Sequence, residues 1–298
     1  IQGVALVGRA GADCVQVRGD YNRLVGVDMT GGDRDGVDGG GIGNEVRGST
    51  IHGFDGGMAD AHCIVLNPGA EDWVIDGNQL YDCSGDSVQL YSAAVERSIR
   101  NVVISNNVMS WTGAIMRMEN AVDIKNADGL RIIGNVMSGF TMNKTIVAQK
   151  GPTGIQVECN IMRSGFTGVE FRAEDGGVVE DITFARNVMH DFSDYALKFD
   201  GVVGASVHNN TFVSIGSDGL RIEGGGLTTA AVQNNLWSAT GNIEPGTFTA
   251  DHNAFWMTGT VGIVSPTDVT ADPLIDAEDN LLVGSPLLDA GVAGGLAF

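Results

Sequence analysis

An asparagine closes a short β-like run eight times along this chain. The runs are DWVIDGN, NVVISNN, GLRIIGN, GIQVECN, DITFARN, GASVHNN, TAAVQNN and FTADHN, ending at Asn78, Asn107, Asn135, Asn160, Asn187, Asn210, Asn235 and Asn253. Their spacings are 29, 28, 25, 27, 23, 25 and 18 residues. A period in the twenties with one strand signature per repeat means a solenoid. Leucine-rich repeats share the period, but their Leu and Asn consensus is absent. Asparagine suits the position because it tolerates a left-handed turn conformation and its amides can hydrogen-bond from coil to coil.

A second strand follows most of these asparagines, as in DSVQLYS, NAVDIKN, TIVAQKG, GVEFRAE, YALKFDG and GLRIEGG. Earlier, GADCVQVRG, DGVDGG and HCIVLNPG fit the same slot. Each repeat therefore holds two or three short strands, and stacking such coils ~4.8 Å apart gives a parallel β-helix. Composition agrees: among 298 residues there are 44 Gly but only 6 Pro, which fits short strands broken by glycine turns. No linker divides the array. The expectation is an all-β, right-handed parallel β-helix of about nine to ten coils, forming a single domain over residues 1–298. Residues 262–298 are expected to be an irregular C-terminal tail or cap.

The net charge of -20 disfavours nucleic acid and anionic membranes as partners. No run of 18 apolar residues occurs, so no transmembrane helix is expected. The chain opens at Ile1 without a methionine, so the lack of a visible signal peptide carries no weight. Cys14, Cys63, Cys83 and Cys159 match no zinc spacing and read as buried small hydrophobes. Trp111, Phe140, Phe166 and Phe192 follow the asparagines at similar distances and read as an internal aromatic stack.

With SGDSVQLY, ENAVDIKN, HNNTFV and the closing stretch DPLIDAEDNLLVGSPLLDAG, the pattern resembles the right-handed parallel β-helix superfamily, which includes pectate lyases and related polysaccharide lyases, epimerases and hydrolases. The resemblance implies a secreted or periplasmic monomer acting on an acidic polysaccharide. Its catalytic signatures do not transfer. The paired-Asp and Gly-His-Gly set of polygalacturonases, the Asp-Pro-His motif of alginate epimerases, and the Asn-Lys-Ser and Arg-His-Gly motifs of chondroitinase B-like lyases are all absent.

Strand alternation gives the candidate site. Val15, Val37, Ile64, Val88, Val122, Ile146, Val169, Leu197 and Leu220 align as one inward column. The next residues point outward: Gln16, Asp38, Val65, Gln89, Asp123, Val147, Glu170, Lys198 and Arg221. Two positions further on lie Arg18, Gly40, Asn67, Tyr91, Lys125, Gln149, Arg172, Asp200 and Glu223. All four lysines (Lys125, Lys144, Lys150, Lys198) lie in or beside this sheet. Cross-strand ion pairing explains part of that, Glu170 facing Lys198 and Arg172 facing Asp200.

β-Elimination on a uronate polymer, the reaction that the resemblance implies, explains the rest. Lys125 or Lys198 would take the C5 proton. Arg172 and Arg221 would clamp carboxylates, and Tyr91 could protonate the leaving oxygen. Gln89, Asn67, Gln149 and Lys150 would bind substrate. Asp123, Glu170 and Asp200 would hold Ca²⁺, although two coils separate Asp123 from Glu170. Glycoside hydrolysis by Asp123 with Glu170, or Asp200 with Glu223, is an alternative. A non-catalytic carbohydrate-binding or adhesin-like protein is another. Asp33, Asp35 and Asp38 in GGDRDGVDGGGIG form a loose calcium-loop pattern, and the five histidines read as scattered. The stretches SAAVERSIR and TGAIMRMEN are long enough to wall a groove beside Lys125.

Overall fold

The computed structural model describes residues 1–93, 98–277, 279–288, 290 and 291. It is an all-β parallel solenoid of about nine turns. The described residues contain no α-helix, and none forms a helix long and apolar enough to cross a membrane. Each coil contributes up to three strands. One face stacks Val74–Asp76, Ile99–Ser105, Ala127–Ile133, Thr153–Glu158 and Val179–Ala185. A second stacks Thr50–His52, Gln79–Tyr81, Val108–Ser110, Val136–Ser138 and Ile161–Gly165. The third stacks Val37–Gly39, Ile64–Leu66, Val88–Leu90, Val122–Lys125, Lys144–Gln149 and Thr167–Arg172. From residue 257 onward only isolated bridges occur among the described residues.

The asparagine column is a ladder. In Asn107, Oδ1 accepts the backbone N–H and the Nδ2–H of Asn78, each at 2.9 Å. Its own Nδ2 donates back to Ile75 O at 2.9 Å and forward to Asn135 Oδ1 at 3.0 Å. The same bonds repeat through Asn160, Asn187, Asn210, Asn235 and Asn253. Buried amides thus use both donors and their acceptor, as groups removed from water must. Asp268 ends the ladder: its Oδ1 accepts the Asn253 N–H at 2.8 Å, and no further coil needs a donor.

The ladder asparagines are not themselves left-handed, contrary to the expectation. The left-handed residue is the one just before: Gly77, Asn106, Gly134, Cys159, Arg186, Asn209, Asn234 and His252, with φ between 52° and 67°. The turn is made there, which leaves the asparagine free to aim its amide along the stack.

Two further expectations need correction. Cys63 and Cys83 are not independent hydrophobes but a disulfide within the core, while Cys14 is half-buried and Cys159 exposed. Of the four aromatics, Phe140 and Phe192 are buried, Trp111 packs partly against the core, and Phe166 is 44% exposed. The interior stack on the second face is built instead from Met109, Met137, Met162 and Met189, continuing into Phe212 and Trp237. The last two rings lie parallel, 3.9 Å apart.

Candidate functional site

The third face has the register that alternation predicts. Val88, Val122, Ile146, Val169, Leu197 and Leu220 form one continuous inward column. Gln89, Asp123, Val147, Glu170, Lys198 and Arg221 form the next, and Lys125, Gln149, Arg172, Asp200 and Glu223 the one after. The structure departs from the expectation in exposure. Gln89, Asp123 and Glu170 face away from the core yet are each only 3% exposed.

For Gln89 and Asp123 the connectors explain this. The coil of Ile64 reaches the third face through residues 53–63, and the coil of Val122 through residues 111–121. Between them, the coil of Val88 uses only residues 82–87. Both long connectors rise on either side of the short one, and Arg117 pairs with Asp60 across it. Glu119 N–H donates to Gly85 O at 2.9 Å, and Gly56 N–H to Ser84 Oγ at 3.0 Å, which seals the roof. Beneath it lies Asp86, with no exposed surface.

Five acids, one histidine and two cations converge here. His62 Nδ1 lies 2.8 Å from Asp35 Oδ1, and its Nε2 lies 3.5 Å from Asp86 Oδ2. Asp86 Oδ1 accepts the backbone and side-chain N–H of Asn120 at 3.0 and 2.7 Å. Gln89 Nε2 donates to Asp86 at 3.0 Å and leans toward Asp123 at 3.4 Å. Asp123 also accepts Gln149 Nε2 at 2.8 Å and pairs with Lys125 Nζ at 3.2 Å. Arg117 contacts Glu119 at 3.6 Å, and Tyr91 lies beneath the Lys125 ammonium, 6.0 Å from ring centre to nitrogen. Glu119, Asp60, Arg117, Lys125 and Tyr91 form the solvent-reachable rim; His62, Asp86, Gln89 and Asp123 form the floor.

The electrostatics favour holding protons. Burial, reinforced by the Asp123 carboxylate, pushes the Asp86 carboxyl up to about 7. Burial and neighbouring Asp60 also raise Glu119. For Lys125, burial opposes the charge, but Asp123, Asp86 and Glu119 outweigh it and hold the ammonium above its ordinary range.

A second cluster lies further along the face. Glu170 meets Lys144 Nζ at 3.3 Å, Lys198 Nζ at 3.0 Å and Arg172 at 3.9 Å, and accepts the Tyr195 hydroxyl at 3.2 Å. Burial opposes the Glu170 charge, and Lys144 with Lys198 more than offsets it, lowering its carboxyl. Lys198 also pairs with Glu223 at 2.7 Å and is raised despite its burial. Arg221 pairs with Glu223 at 2.6 Å. Arg172, aligned with Asp200, reaches Glu174 at 2.8 Å and bonds Gln149. Lys150, left-handed at the end of its strand, pairs with Asp175 at 3.0 Å.

Asn67 donates to Asp38, which also binds Arg18; Asp33 accepts the Gly11 N–H, and Asp35 belongs to His62. The glycine-rich aspartates therefore have separate partners. Asp123 and Glu170 each take a lysine as counter-ion rather than sharing one centre. Among the described residues no group of three or more His, Cys, Asp or Glu is arranged to hold a metal ion. Among the described residues Asp123, Glu170 and Asp200 are not gathered into one donor set for Ca²⁺. The SAAVERSIR wall includes residues 94–97, which lie outside the described residues, while TGAIMRMEN supplies Arg117 and Glu119.

The column alignment missed His62, Asp86 and Glu119. His62 and Asp86 each stand two positions before an inward residue (Ile64 and Val88), in register with Asp35 and Asn120. Extending the alignment two residues backward would have found that column.

A model describing a right-handed beta helix region matches residues 62–263. The chain belongs to the right-handed β-helix family. No curated protein sequence matches it. Among solved structures it is similar to PfbA, a surface adhesin of Streptococcus pneumoniae, at 12% identity and TM-score 0.59, over 80% of this chain and 63% of that one. It is also similar to the catalytic unit of a thermostable GH87 α-1,3-glucanase from Streptomyces thermodiastaticus, at 13% identity and TM-score 0.51, over 91% and 64%. The tailspike of E. coli bacteriophage HK620, solved with a hexasaccharide, aligns at 10% identity and TM-score 0.54, over 84% and 60%. At such identities the likeness is one of fold, and this β-helix spans less than two thirds of each of these three chains.

Proposed function

We propose that this β-helix protein cleaves a glycan by acid-assisted hydrolysis, with Glu119 as the proton donor and Asp123 as the ionised partner. One observation carries the reading: both lysines suited to abstract a proton, Lys125 and Lys198, are paired with carboxylates and held protonated. The carboxyls beside Lys125, Glu119 and Asp86, are instead held toward their protonated forms. A site with acids to donate, whose candidate lysine bases are both paired, suits glycosidic-bond protonation better than β-elimination. Among the described residues, Gln89, Gln149 and Lys125 each donate to Asp123, as a carboxylate requires. The glucanase and the saccharide-bound tailspike among the structural neighbours support a carbohydrate substrate. The Cys63–Cys83 disulfide supports a secreted or periplasmic location.

Elimination on an acidic glycan is the second reading, favoured by the cations Lys144, Arg172, Lys198 and Arg221 gathered on one face of a chain whose net charge is -20. A panel of neutral glucans and uronate polymers separates the two. New reducing ends that vanish in Glu119→Gln support hydrolysis. An unsaturated, ultraviolet-absorbing product lost in Lys125→Ala supports elimination. Glycan binding without either product leaves a binding protein.

A further inference from the structure

His62 is buried, 7% exposed, and its two ring nitrogens face two different carboxylates. Asp35 Oδ1 accepts the His62 backbone N–H at 2.7 Å and meets Nδ1 at 2.8 Å, so Nδ1 carries a hydrogen and the ring is fixed. Among the described residues, Nε2 is buried without a hydrogen-bond partner, and the acid that faces it is Asp86, with Oδ2 at 3.5 Å. With no proton on either atom, a buried lone pair would face a buried carboxylate oxygen. A single proton between them removes that repulsion.

We propose that Asp35, His62 and Asp86 form a buried proton-sharing triad, in which one proton passes between Asp86 Oδ2 and His62 Nε2 and thereby sets how firmly Glu119 holds its own. The transfer breaks an O–H bond and forms an N–H bond. Carboxylic acid and imidazole become carboxylate and imidazolium, and the net charge is unchanged. His62 is faced by Asp35, Asp60 and Asp86; Asp86 is faced by Asp123 and Glu119; Arg117 and Lys125 act in turn on Glu119. Burial disfavours the imidazolium, and Asp35 with Asp86 and Asp60 outweighs it. An imidazolium beneath Glu119 loosens that residue's proton, and a neutral ring restores its hold. His62 and Asp86 are therefore positioning residues, and this part of the inference rests on Glu119 acting as the acid.

Histidine ring ¹⁵N NMR on the intact chain tests it without any substrate. The His62 signals are assigned from their loss in His62→Gln or, if that variant does not fold, by through-bond correlation in the wild type. Nδ1 should stay protonated throughout, and Nε2 should titrate above free imidazole. In Asp86→Asn the midpoint should fall by at least one pH unit, a tenfold loss of proton affinity. A midpoint that ignores Asp86→Asn, or a wild-type midpoint at or below that of free imidazole, overturns the triad. Where a glycan is cleaved, the limb of the kcat/KM–pH profile due to Glu119 should move in Asp86→Asn. NMR coupling without turnover keeps the shared proton and overturns the role of Glu119.

Discussion

Lys125 Nζ lies 3.2 Å from Asp123 Oδ2, along the same strand rather than across the stack. The lysine's neighbours in the stack, Tyr91 and Gln149, are both uncharged, so the ammonium closes over its own strand's carboxylate. In Lys125→Met, buried Asp123 would keep, among the described residues, Gln89 and Gln149 as donors. The substitution should cost about 1–3 kcal/mol in denaturant unfolding at neutral pH. Turnover should survive in the variant, whereas Glu119→Gln should lose about 10²–10⁴-fold, the span of one general acid. The opposite ranking would favour elimination.

The asparagine ladder gives a positional contrast. Asn160→Ala leaves the Asn135 N–H, one Asn135 amide hydrogen and the Ile132 carbonyl buried without partners. A loss of about 3 kcal/mol or more is expected at one to three per orphaned group. Asp268→Asn should cost less, about 1 kcal/mol, because its remaining oxygen can still accept the Asn253 N–H and only the Ser265 N–H loses its acceptor. Thermal unfolding of the two variants side by side checks this.

Asp86 sets a pH dependence. Its carboxyl is raised in the folded state, so its contribution to stability is fully present below the ordinary carboxyl range and is lost as pH rises toward about 7. Glu170 runs the other way: its lowered carboxyl stabilises above the ordinary range, and that contribution is lost as pH falls through the folded value. The stability difference between wild type and Asp86→Asn should therefore move against the wild type from about pH 4 to about pH 7. A parallel pair of melting curves across that range would rule this out.

The Cys63–Cys83 bridge closes a loop of sequence separation 20 within the core beside His62. Reducing it should cost about 3 kcal/mol on loop-entropy grounds. Melting with and without reductant measures this, with Cys63→Ala/Cys83→Ala as the insensitive control.

The repeat made the solenoid and its register legible. Alternation sets the face of each strand residue, and a periodic stack carries that choice from coil to coil. The inward column from Val15 to Leu220 and the outward pairing of Glu170 with Lys198 therefore follow from sequence. The left-handed turn was misplaced by one residue because both positions favour asparagine, and only backbone dihedrals tell Asn106 from Asn107. The disulfide was missed because Cys63 and Cys83 meet only when adjacent coils stack. The site itself depended on connectors, which obey no period. A short connector between two long ones buried Asp86, brought Arg117 to Asp60, and set His62 between two acids. Sequence by itself determined which side chains share a column, because strand geometry is local. Tertiary structure alone decided which of them lose water and gain protons, because burial and charge proximity arise between coils distant along the chain.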